Sequence, residues 1–175
     1  PLAVVEWDRE GLIRRWAGQA EKVFGWRSDE VVGRSAEALG LVHPDWIEST
    51  EAAMRELRDG GAIRNRVVCR NLTHSGRVIY CEWFHSAFVD RSGATQGVLS
   101  LAQDITARFE AEEQLRHAAI HDALTGCYNR RYLLERMARA IERARRSDET
   151  PALLYIDLDR FKPVNDRHGH AAGDA

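Results

Sequence analysis

The sequence predicts an α+β chain: an antiparallel sheet with flanking helices, then a linker helix and the opening of an α/β unit. Three observations carry this. The stretch from Ala62 to Thr106 reads as three long strands, broken at His74-Ser75-Gly76-Arg77 and Asp90-Arg91-Ser92-Gly93, both with the glycine that hairpin loops require. The run ARFEAEEQLRHAAI, Ala107 to Ile120, contains good helix formers and neither proline nor glycine. Beyond it, the apolar run Ala152 to Ile156 reads as a short buried strand. It delivers Asp157 and Asp159 where an α/β sheet commonly opens onto a ligand or metal.

In chain order, Leu2 to Trp7 and Leu12 to Trp16 are short apolar stretches around the turn cluster Asp8-Arg9-Glu10-Gly11, which predicts a hairpin. Short helical pieces follow between Ala17 and Gly40, with Ser28 as N-cap for Asp29 to Val32 and Gly33 as the stop. Pro44 to Leu57 reads as one longer helix that Asp59-Gly60-Gly61 ends. In the middle strand Ile79, Cys81, Trp83, His85 and Ala87 share one face, and Tyr80, Phe84 and Phe88 the other. Two apolar faces imply that one packs on the core and the other on a partner or a flanking helix. From Asn129 to Arg146, Leu133, Leu134, Met137, Ala138 and Ile141 recur at helical spacing beneath a solvated arginine face, an amphipathic cover helix.

With 175 residues, 44% hydrophobic and 30% charged, the chain has room for one or two domains of ordinary globular composition. Its net charge of −2 offers no global attraction to nucleic acid or an anionic membrane. No apolar run approaches the roughly 18 residues of a membrane span, and Pro1-Leu2-Ala3 starts no signal peptide, so a cytoplasmic location is expected. Cys69, Cys81 and Cys127 show no CxxC spacing and leave one thiol over in any pairing, which predicts reduced cysteines without zinc.

The motif residues group into known patterns. EWDREGLIRRW with AEKVFGW, then HSGRVIYCEWFHSAFVDRSGATQGVLSLAQDIT ending in Asp104-Ile105-Thr106, resembles a PAS sensor domain over 1–106. His121 to Arg130, HDALTGCYNR, resembles the DxLTGLxNR opening of a diguanylate cyclase (GGDEF) domain. The run Tyr155 to Asp174, YIDLDRFKPVNDRHGHAAGD, resembles the first half of its catalytic unit. The implied organisation is a PAS sensor at 1–106, a linker helix at 107–120 and a truncated GGDEF domain at 121–175, stopping short of the Gly-Gly-Asp/Glu-Glu-Phe loop. Cys127 stands where that opening motif usually carries leucine.

The resemblance implies a PAS-gated cyclase that joins two GTP into cyclic di-GMP with Mg²⁺, as a homodimer through the PAS domain and linker helix. By that resemblance Asp157 and Lys162 are catalytic, and Asp157 with the Leu158 carbonyl holds the metal. Phe161, Lys162, Asn165 and Asp174 bind GTP, amides around Arg160 to Lys162 cradle its phosphates, and Asn165 and Asp174 read the guanine edge. Asp159 reads as a cap of the next helix and Asp166 as an Asx turn, while His168 and His170 are not expected to hold the hard Mg²⁺ ion. The rival reading is a sensory and dimerisation module, or a GTP-binding regulator ahead of a cyclic di-GMP phosphodiesterase.

Two features stay open on residues alone. The linker seam Ile105, Arg108, Glu112, Leu115 and Ala119 is only partly apolar, so a solvated helix and a parallel coiled coil both fit, and the resemblance favours the coiled coil. No GxNCRFLQ segment occurs, so a flavin adduct is not expected. His43, His74 and His85 read as ordinary surface or core residues rather than haem ligands. Tryptophans 7, 16, 26, 46 and 83 suit a small-molecule pocket or a core equally well, which leaves the sensor's ligand unknown.

Overall fold

The computed structural model describes residues 2–147, 150–169, 171 and 174. It divides into two compact units, Pro1–Ala111 and Glu112–Ala175. His170 and Gly173, part of the nucleotide-type motif, lie outside the described residues.

The first unit is built on a five-stranded antiparallel sheet ordered β2-β1-β5-β4-β3. Its strands are β1 (Ala3–Asp8), β2 (Ile13–Gly18), β3 (Arg64–Leu72), β4 (Val78–Val89) and β5 (Thr95–Asp104). The first hairpin forms where the turn cluster predicts it, with Asp8 accepting from the amides of Glu10 and Leu12. Between β2 and β3 the chain crosses one face of the sheet through α1 (Ala20–Phe24), α2 (Ser28–Val31), a 3₁₀ turn at Pro44–Trp46 and α3 (Ile47–Arg58).

Two local expectations are corrected here. Ser28 is the first residue of α2 rather than its cap, because the Glu21 carboxylate takes its amide at 2.9 Å and the Glu30 carboxylate takes that of Arg27, the true N-cap, at 2.8 Å. The expected single helix from Pro44 splits at Trp46. His43 Nδ1 accepts from the Asp45 amide, closing a tight first turn, and the Trp46 carbonyl accepts the Ser49 and Thr50 hydroxyls as α3 begins.

Strand alternation then decides what is buried. Ala3, Val5 and Trp7 of β1, Cys69 of β3, Ile79, Cys81 and Trp83 of β4, and Val98 and Ala102 of β5 turn inward beneath the helices. At the centre Phe24 stacks on Trp83 at 5.6 Å and meets Trp16 at 5.3 Å. Burying a side chain of that size is worth about 2–3 kcal/mol. Gly97 sits where β1, β5 and β4 crowd together: a Cβ there would meet the Phe88 ring and the Trp7 carbonyl at 2.4 Å each, so no larger residue fits unmoved.

The outer face of β4 is covered in part by the start of α4 (Thr106–Ile120), as its apolar residues suggest. Tyr80 stacks on Phe109 at 4.0 Å, whereas Phe84 and Phe88 remain about half exposed. Glu82, buried on this face, is ion-paired with Arg66 of β3 and lies 3.9 Å from Arg108 of α4.

The second unit carries the rest of α4, then α5 (Arg130–Ala144) and α6 (Phe161–His168). Its main correction concerns 152–156, which forms no strand and stands open to solvent, with Leu154 80% and Tyr155 85% exposed. A strand needs a neighbour for its backbone groups and a surface for its side chains. Among the described residues this run has neither.

Candidate functional site

The nucleotide-type segment is built around the start of α6. Asp157 and Leu158 lie in irregular, exposed chain just ahead of the helix; Phe161, Lys162 and Asn165 lie on it, and Asp174 lies exposed beyond it. Arg160 is the N-cap in a left-handed conformation, φ 59°, and no side chain caps the helix. Such a conformation costs a non-glycine residue about 1–2 kcal/mol, and it leaves the first-turn amides open to an anion. Asp159 therefore does not cap α6, and Asp166 lies within the helix rather than in an Asx turn.

Asn165 is half-buried with its side-chain oxygen enclosed and without a hydrogen-bond partner among the described residues. Its backbone carbonyl instead accepts from Gly169 at 2.8 Å. No side-chain hydrogen bond or ion pair joins Asp157, Lys162, Asn165 and Asp174 among the described residues, and no three metal-binding side chains gather there. The donors still suit Mg²⁺ in kind. That ion takes oxygen ligands, often one or two from the protein with the rest from phosphate and water.

The opening motif at 121–130 has a physical job that spacing alone does not reveal. Asp122 accepts from the amides of Leu124 and Thr125 and from the Thr125 hydroxyl, which together hold its carboxyl below the usual range. Gly126, at φ 68°, supplies the left-handed turn that returns its amide to the Asp122 carbonyl. Asn129 caps α5 through the Tyr132 amide at 3.0 Å and reaches back to the Ala119 carbonyl at 2.9 Å, which Arg131 also binds. One Asp and one Asn thus tie the end of α4 to the start of α5.

Within the first unit, a cavity of about 310 Å³ opens between the sheet and α3, with Trp7, Leu41, Met54, Cys69, Trp83 and His85 in its wall. Two of the five tryptophans therefore line a pocket. Trp7 donates Nε1–H to the Ser100 hydroxyl at 2.8 Å, and that hydroxyl sits 2.6 Å from His85 Nδ1. Burial pushes the His85 imidazole down to about 4, so it stays neutral near pH 7. On the same wall Asn71 donates to the Leu41 carbonyl and accepts from Trp83 Nε1, both at 2.9 Å. Burial raises Cys69 to about 11 and Cys81 further, so neither is a thiolate.

Sequence reasoning grouped His85 with Ile79, Cys81 and Trp83 on one face, which the structure turns inward, but did not say which face was inner and gave the network no role. The available signal was three polar residues, Asn71, His85 and Ser100, at inward positions of otherwise apolar strands.

At the exit from the sheet, Asp104 accepts from the Thr106 amide at 2.9 Å and the Thr106 hydroxyl at 2.6 Å. That hydroxyl oxygen in turn accepts from the Tyr80 amide. The exit tripeptide is a clamp between β4, β5 and α4.

Comparison with known proteins agrees with this layout. A family model described as PAS fold matches residues 1–110, and one described as diguanylate cyclase, GGDEF domain, matches 119–175. An uncharacterized signaling protein of Caulobacter vibrioides is 40% identical over 148 residues, covering 83% of this chain and 17% of the relative. The probable diguanylate cyclase DgcE of Escherichia coli is 30% identical over 158 residues, covering 89% and 14%. The chain thus spans about a sixth of the length of these relatives. In fold, the crystal structure of a PAS domain from Colwellia psychrerythraea aligns with a TM-score of 0.55 at 20% identity, over 61% of this chain and 88% of that one.

Proposed function

Because the chain belongs to the PAS-fold family and continues into part of a diguanylate cyclase GGDEF domain, we propose that it is the sensor-to-output segment of a cytoplasmic, homodimeric cyclase that makes cyclic di-GMP from two GTP. The observation that carries the reading is the order of the two family matches along one chain, with α4 between them. We place the sensor at 1–106, the linker at 107–120 and the start of the output domain at 121–175. No helix among the described residues is long and apolar enough to cross a membrane.

In this reading the open amides at the start of α6 receive phosphate, and Lys162 adds a positive charge beside them. Asp157 and the Leu158 carbonyl hold Mg²⁺, which neutralises phosphate charge and activates the attacking hydroxyl. Asn165 and Asp174 read the guanine edge, and Phe161 packs against the nucleotide. The enclosed, unpartnered oxygen of Asn165 supports this, since a buried acceptor is expected to find a donor.

The test is Asp157→Asn in the whole protein, with cyclic di-GMP measured by chromatography and the fold by circular dichroism. The expected outcome is a loss of at least about 100-fold, roughly 3 kcal/mol of transition-state stabilisation, with the PAS signal intact. Turnover within a few fold of wild type overturns the role of Asp157, whereas a whole protein that makes no cyclic di-GMP even before substitution returns the sensory or GTP-binding regulator as the better reading.

A further inference from the structure

The hydrogen positions in the Trp7–Ser100–His85 chain follow from donor counting. Trp7 Nε1 can only donate, so the Ser100 oxygen accepts from it. Ser100 is fully buried, and His85 Nδ1 is the only acceptor for its hydroxyl hydrogen among the described residues. Nδ1 is therefore the acceptor of a neutral ring, and the ring proton sits on Nε2. Nε2 has no partner among the described residues, and His85 lines the cavity. The cavity wall thus holds a fixed, uncharged N–H donor on a ring stacked against Trp83.

Resting on the sensor reading above, we propose that this cavity takes an uncharged, ring-sized organic compound bearing a hydrogen-bond acceptor, a cyclic ketone or lactone in class, with its oxygen on His85 Nε2–H. On the inner wall a cation finds no open acceptor, because the Asn71 oxygen already receives Trp83 Nε1 and the Cys69 thiol; the carboxylates that line the cavity, Glu10, Glu37 and Glu51, stand on exposed residues where water screens them. An anion meets Glu10, Glu37 and Glu51 at the cavity rim against the single charge of Arg58. A pure hydrocarbon covers the His85 N–H and leaves it unpaired, which is costly in a low-dielectric site.

The experiment uses the 175-residue chain and four probes of one shape: 1-indanone, indane, 1-aminoindane and indane-1-carboxylate. Binding is followed by tryptophan fluorescence and by NMR shifts of β4 and β5 amides. The expected result is that 1-indanone binds about tenfold tighter than indane, the gap expected for one buried donor paired or left unpaired, and tighter than either charged probe. His85→Phe should abolish that preference. Should the variant fail to fold, two measurements on the unmodified chain still decide: the carbonyl stretch of bound 1-indanone, expected to fall, and the His85 ¹⁵N spectrum, expected to show the proton on Nε2. Equal binding of ketone and hydrocarbon, preference for a charged probe, no binding at all, or a proton on Nδ1 each overturns the proposal. All of these outcomes are independent of the Asp157→Asn test, so the ligand class and the cyclase reading can fail separately.

Discussion

His85 begins to cost the fold free energy as soon as the unfolded chain can be protonated there. Its folded pKa of about 4 lies below the ordinary 6.5, so its contribution is fully present above pH 6.5 and is lost as pH falls from 6.5 through 4. By pH 5 the loss is about 2 kcal/mol. Urea unfolding at pH 8 and pH 5 should therefore show a larger drop for the parent chain than for His85→Phe, by about that amount, and parallel drops would show that the ring is not buried neutral. Little of this was legible in the sequence. The network joins Trp7, Ser100 and His85, residues 93 and 15 positions apart, and it exists only once β1, β4 and β5 lie in register. Local signals were read with mixed success for a related reason. The turn cluster from Asp8 to Gly11 acts through neighbouring backbone and was read as it stands, whereas Ser28 lost its capping role because Glu21, seven residues earlier, claimed its amide.

At the scale of elements, the hairpins and sheet were legible because each turn carries its own glycine and each strand alternates. Ala152 to Ile156 was not, because an apolar run specifies a wish to be buried but not the surface that buries it. The helix α4 was read correctly in extent, and its mechanical role is the clearest target. The clamp of Asp104, Thr106 and Tyr80 fixes its first turn to the sheet, and the turn of Asp122 and Asn129 fixes its far end to α5. On the proposed function, this helix is expected to carry rotation from the sensor to the output domain. Inserting four residues between Glu113 and Gln114 turns one end by about 40° and advances it by about 6 Å, whereas seven residues leave a drift of only about 20°. In the whole protein the four-residue insertion should change cyclic di-GMP output sharply and the seven-residue insertion should largely preserve regulation. Equal output and equal signal response from both would reduce the helix to a tether.

At the scale of the whole molecule, the two units differ in what they hold by themselves. The first closes a core around Phe24 and Trp83, whereas α5 of the second has no buried residue and Leu133, Leu134 and Ile141 are about half exposed. Residues 1–175 incubated with GTP and Mg²⁺ should accordingly yield no cyclic di-GMP, since among the described residues neither α5 nor the exposed run 152–156 packs into a core that would hold Asp157 and Leu158 in place; product above the no-protein control would overturn the expectation. Strand β4 carries a different consequence. Its odd-numbered residues Cys81, Trp83 and His85 face inward, with Trp83 and His85 in the cavity wall, while its even-numbered residues Tyr80 and Glu82 meet α4. If the proposed function and ligand site hold, input and output are written in alternate letters of one word. On that reading, mutational drift at odd positions would retune which compound is sensed while the even positions conserve the wiring, so that a lineage would acquire new stimuli without reinventing its response.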